Sequence, residues 1–384
     1  MPSLKHLVSI FIAILFTSAL PAKEHSGLWV VRYALSSQKE AQRVVQTARD
    51  LHITDLYVQV YALGQAWYPS NVAVVYPRLK KQNDHFAVLL TQAKRAGIRV
   101  HAWLNVFFIW ANEKPPANRN HPFNRFRESI LNPKEAQSLE SYAWFKKQGI
   151  EGFFIDPLDQ QYRQFIKDLI TELVYGYGLD GIHLDYLRYP EKEVTFSAMG
   201  RTKFRQFYFV DPLQIMGKQQ EYIKRYGLEG IADFYSIYRN FLRQNIDIFL
   251  QTVQQHLKNL KGNLLLTCAV KADTRQAADT YYQNWKNWLK KQLCDEIIMM
   301  NYLPDTQIFM DNLNRAAAIE EHKKIRIGIA LYNQSPDSVR QKLSLLHSSV
   351  FDGFALFSYN YLSEQPGYLS RIKTIVATEK GLKK

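Results

Sequence analysis

The sequence predicts an α/β chain folded as a TIM (β/α)8 barrel with long insertions after strands 3 and 4. Three observations carry this: short apolar runs recur along the chain, amphipathic helical patterns separate them, and the count of runs is eight, the number that closes such a barrel. The 384 residues suit one barrel, since this fold tolerates lengths from about 200 to more than 400 residues. The runs are GLWVVRY (27–33), DLYVQVY (55–61), RVHAWLNV (99–106), GIHLDYL (181–187), NLLLTCAV (263–270), DEIIMMNY (295–302), IRIGIALY (325–332) and DGFALFSY (352–359).

The segments between them read as helices. SQKEAQRVVQTARDL precedes the second run, and HFAVLLTQAKRAG ends on Gly97, a helix-terminating position, just before the third. QQYRQFIKDLITELVYGYG leads into the fourth run. Two connections are oversized: residues 107–160, rich in Pro and Asn, and residues 188–262, which end in the amphipathic pattern IADFYSIYRNFLRQNIDIFLQTVQQHLKNL. Both begin at the C-terminal end of a strand, where barrel enzymes carry their active sites, and are expected to wall a substrate cleft.

The N-terminus carries Lys5 and His6, an apolar run from Leu7 to Phe16, and small residues ending in Pro21-Ala22. That order predicts a secretory signal over residues 1–22, followed by one barrel domain over 23–384. No later stretch approaches the roughly 20 apolar residues of a transmembrane helix, so no integral membrane segment is expected after signal removal. The two cysteines, Cys268 and Cys294, lie in or beside strand-like segments and are expected to be buried free thiols. A formal charge of +14, spread over pairs such as Lys80-Lys81, Lys146-Lys147, Lys290-Lys291 and Lys323-Lys324, favours encounter with an anionic polymer. Export makes an envelope glycan the expected partner rather than nucleic acid.

Side chains of a barrel strand alternate between the interior and the helix layer. Ile182 and Leu184 belong against helices, which turns His183 and Asp185 inward, with Asp185 nearer the rim. Asp180 supports the turn into the strand. The same parity places His101, Trp103 and Asn105 on one face, and Gln59 with Tyr61 on one face of the second strand. Strand ends add Arg32, Tyr33, Asn301, Tyr302, Tyr332 and Tyr359, and Arg188 follows Asp185 by three residues. Some of these groups are expected simply to satisfy one another in the upper barrel layer. The ring as a whole exceeds what an apolar barrel needs.

Aromatic rings beside carboxylates, amides and an Arg suit a sugar site, because pyranose faces stack on rings while hydroxyls need polar partners. Glycosidic cleavage also needs an acid for the leaving oxygen and a second carboxylate or water at the oxocarbenium-like centre. Asp185 is the candidate for one task. Asp273, just beyond the fifth strand, is the candidate for the other, with Glu191, Glu193 and Asp305 as rivals. The spacings of His101, His183 and Asp185 match no metal motif, and neither a metal nor another cofactor is expected.

At this point the residues resemble a known family, the bacterial glycosyl-hydrolase-like family ten. The stretches that carry the resemblance are VQVYALGQAWYPS (58–70), AKRAGIRVHAWLNVF (93–107), DGIHLDYLRYP (180–190), QNWKNWLKKQLCDEIIMMNY (283–302) and GFALFSY (353–359). The resemblance implies an exported barrel that cuts peptidoglycan glycan strands lacking stem peptides, with Gln59, His101, Trp103, Asn105, Asp185, Asn301 and Tyr302 around its site. Two positions depart from it: Tyr186 stands where many relatives have a second acid, and Gln65 replaces an acid common in the second-strand loop. DGIHLDYLRYP also resembles the DGxDxDxE signature of family-eighteen chitinases. Leu187 stands in place of their catalytic Glu, so that likeness implies the barrel and not the mechanism.

The expectation is therefore a monomeric, periplasmic or extracellular glycoside hydrolase of an amino-sugar polymer, peptidoglycan glycan in the first place. The alternatives are an impaired barrel that binds envelope glycan and a hydrolase of another exopolysaccharide.

Overall fold

The computed structural model describes residues 25–79, 83–134, 136, 138–191 and 193–379. The segment 1–22 read as a signal and the Lys80-Lys81 pair lie outside the described residues.

Eight strands form the barrel: β1 (His25–Val30), β2 (Asp55–Ala62), β3 (Arg99–Asn105), β4 (Gly181–Asp185), β5 (Leu265–Lys271), β6 (Glu296–Met300), β7 (Ile325–Ala330) and β8 (Gly353–Phe357). Each pairs in parallel with its neighbours, and β1 pairs with both β2 and β8, which closes the ring. The first strand stops at Val30 rather than running to Tyr33, because Arg32–Leu35 wind into a 3-10 turn. Ser37 caps the helix Gln38–Asp50 by accepting from the Glu40 N–H, and Asp84 and Asp159 cap His85–Arg95 and Gln160–Gly176 in the same way. Gly97, at φ +68°, ends the second of these in the left-handed conformation that glycine adopts without strain. Helix faces such as Val44, Val45 and Ala48 or Leu89, Leu90 and Ala93 pack on the outward residues of the strands, Ile182 and Leu184 among them.

The barrel interior is a second, separate cluster in which Trp29, Tyr57, Trp103, Ile298 and Ala355 meet. Close approach at two glycines makes room for it: a Cβ on Gly181 would stand 2.3 Å from His101 Nδ1, and one on Gly328 2.9 Å from the Trp29 ring. Trp29 Nε1 donates to His183 Nε2 at 3.1 Å, and His183 Nδ1 lies 2.8 Å from Thr267 Oγ1. Since the indole can only donate, His183 carries its proton on Nδ1. Burial holds its pKa well below the ordinary value, so it stays neutral.

Asp55 closes the N-terminal end of the barrel. Its oxygens lie 2.8 Å from Arg99 Nε, 2.9 Å from His101 Nε2 and 3.1 Å from an Arg326 guanidinium nitrogen. Burial alone would raise its pKa, but His101, Arg326 and Arg99 hold it far below the carboxylate range. Replacing Asp55 with Asn leaves the buried Arg326 and its neighbours short of an anion. We expect a loss of roughly 3 to 5 kcal/mol, the cost typical of breaking a buried pair from one side, read as a lowered urea midpoint. A midpoint unchanged within error contradicts that expectation.

Two connections after strands reach over the C-terminal end. In the first, Phe108–Trp110 pairs antiparallel with Phe153–Phe154. The second passes through helices Ala198–Tyr208 and Pro212–Gly217 into the long helix Gln219–Leu260, which breaks at Gly227. Among the described residues no helix is long and apolar enough to cross a membrane. Cys268 and Cys294 are buried free thiols.

Candidate active site

The C-terminal ends of the strands open into a cavity of about 550 Å³. Asp185 is the last residue of β4 and stands opposite Asn105 of β3. It is 8% exposed. Tyr186 takes a left-handed φ of +56°, and its N–H donates back to Asp185 Oδ1 at 2.7 Å. Burial raises the Asp185 pKa to about 6, opposed by that N–H and by the charges of Arg188 and Lys271. The Trp103 indole N–H lies close enough to favour the anion, without a hydrogen bond of good geometry.

A second carboxylate lines the same cavity, and it comes from the first long connection: Glu151. Gly152 permits this placement, since a Cβ there would stand 2.3 Å from the Trp110 carbonyl oxygen. Arg188, 4% exposed, donates to Glu151 Oε1 at 2.6 Å, and its guanidinium is wedged against Tyr186, Tyr281 and Phe154 at 4.8 to 5.4 Å. Burial would raise the Glu151 pKa, but the Arg188 charge outweighs it and holds the group below its ordinary value. The two acids of one cavity are thus driven in opposite directions.

Around the same cavity Arg32 donates to Gln59 Oε1 at 2.8 Å, and Gln59 Nε2 donates to Asn105 Oδ1 at 3.2 Å. Tyr302 stacks on Phe357 at 5.4 Å, with Trp29 edge-on to both, and Tyr332 reaches the mouth 52% exposed. Asp185, Arg32, Gln59, Trp103, Asn105, Arg188, Tyr302 and Tyr332 are therefore brought together as cavity lining.

The remaining candidates lie elsewhere. His101 and His183 point inward as parity requires, but they sit in lower layers against Asp55 and against Trp29 with Thr267. Tyr61 turns to the helix layer against Phe165, because pairing with β3 skips from Gln59 to Tyr61, and the irregularity reverses the alternation. Asn301 is tied to the Phe309 carbonyl and to Asn312, beside the barrel. Tyr359 begins a helix and donates to Glu40. Asp273 does not line the cavity: it caps the helix Thr274–Asp279, accepting from the Arg275 and Gln276 N–H groups, and pairs with Arg315. Asp305 is likewise a cap, and Glu191 accepts from Tyr281 OH.

Residues outside the candidate set also line the cavity, notably Glu151, Tyr186, Phe108 and Lys271. Lys271 was within reach of strand parity, since it ends β5 two residues beyond the inward Ala269 position. Glu151 had no such signal. Among the described residues no group of three or more His, Cys, Asp or Glu is arranged to hold a metal ion.

A family model described as Glycosyl hydrolase-like 10 matches residues 24–341. The curated protein Glycosyl hydrolase DigH of Escherichia coli strain K12 is 21% identical over 274 residues, covering 66% of this chain and 55% of that protein. The chain thus spans about half the length of the curated relatives it matches. Among solved structures, α-L-fucosidase isoenzyme 2 from Paenibacillus thiaminolyticus is similar with a TM-score of 0.65 at 12% identity, over 93% of this chain and 49% of that one. The catalytic domain of β-amylase from Paenibacillus polymyxa is similar with a TM-score of 0.59 at 12% identity, over 93% and 99% of the two chains. At that identity the likeness is one of fold, a closed eight-stranded barrel.

Proposed function

From the premise that the chain belongs to the glycosyl hydrolase-like 10 family, we propose that it is a glycoside hydrolase cutting an amino-sugar polymer, the glycan strands of peptidoglycan, outside the cytoplasm. One observation carries the chemistry: two carboxylates line one cavity with their ionisation pushed apart, Asp185 up to about 6 and Glu151 down. Such a split assigns roles. Asp185 keeps its proton in mildly acidic solution and delivers it to the glycosidic oxygen. Glu151 remains an anion that faces the oxocarbenium-like centre or activates the water that attacks it. Tyr302, Phe357 and Tyr332 offer ring faces for sugar units, and Gln59 with Asn105 offers amide groups to their hydroxyls. The N-terminal signal-like sequence supports export, and the net charge of +14 supports an anionic polymer as partner.

The test is release of new reducing ends from purified, peptide-free glycan strands, with products identified by mass spectrometry. Saturable binding without release leaves a glycan-binding barrel instead. The pH profile follows from the same two groups. Turnover needs Asp185 protonated and Glu151 ionised, so kcat/KM is expected to fall about tenfold per pH unit above about 6. On the acid side the fall begins only below the ordinary Glu range. A rate still rising between pH 7 and 8 contradicts the assignment of the acid.

A further inference from the structure

Among the described residues three cations line the cavity, and their surroundings differ. Arg188 is paired with Glu151. Lys271, 4.5 Å over the Tyr281 ring, lies in the field of Glu151, Glu191 and Asp185. Among the described residues no carboxylate pairs with Arg32: its contacts there are the Gln59 amide oxygen, the Tyr33 hydroxyl and the rings of Tyr33 and Trp67. A guanidinium has five N–H donors, and this one spends one on Gln59 through a first nitrogen and one on Tyr33 OH through the second. The fork is held in place in the cavity lining, with most of its donors uncommitted among the described residues.

Position reinforces the point. Arg32 sits in the 3-10 turn after β1, and the Arg32–Gln59–Asn105 chain runs along the rim to the residue opposite Asp185. The Tyr33 ring beneath the guanidinium, 4.6 Å from its centre, is 55% exposed and extends the platform outward from the cavity. A planar cation with three of its five donors still uncommitted among the described residues, on an aromatic support, is built to receive a planar anion in two parallel hydrogen bonds.

We propose that Arg32 binds the carboxylate of an acidic sugar unit, so that the cavity selects glycans with free carboxylates over neutral ones. The inference rests on the glycoside hydrolase reading for its substrate class. Two sources supply this chemistry, a lactyl ether on an amino sugar freed of its peptide and a uronic acid. In either case masking the carboxylate removes what Arg32 recognises.

The experiment measures affinity and turnover separately. Affinity is measured by calorimetry on the full chain carrying Asp185→Asn, which prevents consumption of the ligand. The probes are peptide-free peptidoglycan glycan strands, the same strands after chemical reduction of their carboxyl groups, and oligosaccharides of hyaluronan as a uronate source. Intact strands are expected to bind roughly 10- to 100-fold more tightly than reduced ones, the range for hydrogen bonds to a charged group. Adding Arg32→Gln is expected to abolish that preference, and Arg32→Lys is expected to keep part of it. Tighter binding of peptidoglycan strands than of hyaluronan points to the lactyl ether and the reverse to a uronate, both within the proposal. Equal affinity for intact and reduced strands overturns it, as does a loss from Arg32→Gln that is equal on both. Absence of reducing-end release by the unmodified chain defeats the hydrolase reading, and the affinity result then stands or falls on its own.

Discussion

Replacing Asp185 with Asn is expected to remove turnover, by roughly 10²- to 10⁴-fold, and at the same time to make the protein more stable at neutral pH. An amide occupies the same space, and its oxygen can keep the bond from the Tyr186 N–H, but it has no proton to deliver. The stability gain comes from the cost of ionising a buried carboxyl. In the folded chain Asp185 gives up its proton near pH 6 rather than 3.8. Between those values the folded state holds a proton that the unfolded state has released, so stability falls as pH rises through this window. At 1.36 kcal/mol per pH unit the full loss is about 3 kcal/mol above pH 6. The amide does not titrate, so the variant should match the parent below about pH 4 and exceed it at pH 7.5, read from urea midpoints at both. A variant that is active, or less stable at pH 7.5, removes Asp185 from this role.

Glu151→Gln is expected to lower kcat by a similar factor of roughly 10² or more if the group meets the reacting centre. Unlike Asp185→Asn, this change carries a structural cost. The Glu151 side chain is 41% exposed, so water offsets part of the lost Coulomb energy, but its partner Arg188 is buried and loses its anion, and a stability loss of roughly 1 to 3 kcal/mol is expected. The informative measurement is rescue: azide or formate should restore part of the rate in Glu151→Gln, because a small anion can take the place vacated by a catalytic carboxylate. A role confined to holding Arg188 predicts no such rescue. A rate within threefold of the parent assigns Glu151 to that latch and leaves Asp185 without its partner in this cavity.

Both predictions turn on residues of unequal visibility in the sequence. Asp185 was legible because alternation within GIHLDYL requires the polar members to share the interior face, and being last in the strand puts it at the rim. Arg32, Gln59, Trp103, Asn105, Tyr302 and Tyr332 followed from similar reasoning at other strand ends, and the cavity contains all of them. The reasoning failed for Tyr61, where a one-residue irregularity in β2 reverses the alternation. It overreached for His101 and His183, which have the right parity but lie too deep. For Tyr359 the chain has already left the strand for a helix. Asp273 shows a different limit, since a rim acid at a helix start serves equally well as a cap.

The sequence alone determined the eight barrel elements and the facing of most strand residues, because both are written in local pattern: apolar periodicity, caps such as Ser37 and Asp84, and a two-residue repeat. The tertiary structure decided the second carboxylate and the ionisation of both. Glu151 reaches the cavity through a connection that begins more than forty residues earlier and closes by pairing Phe108–Trp110 with Phe153–Phe154. Its charge state is set by Arg188, which is 37 residues away along the chain, and that of Asp185 by burial under the same walls. Desolvation and Coulomb interactions depend on distance in space, and a pKa is therefore written only when the chain has closed around the group.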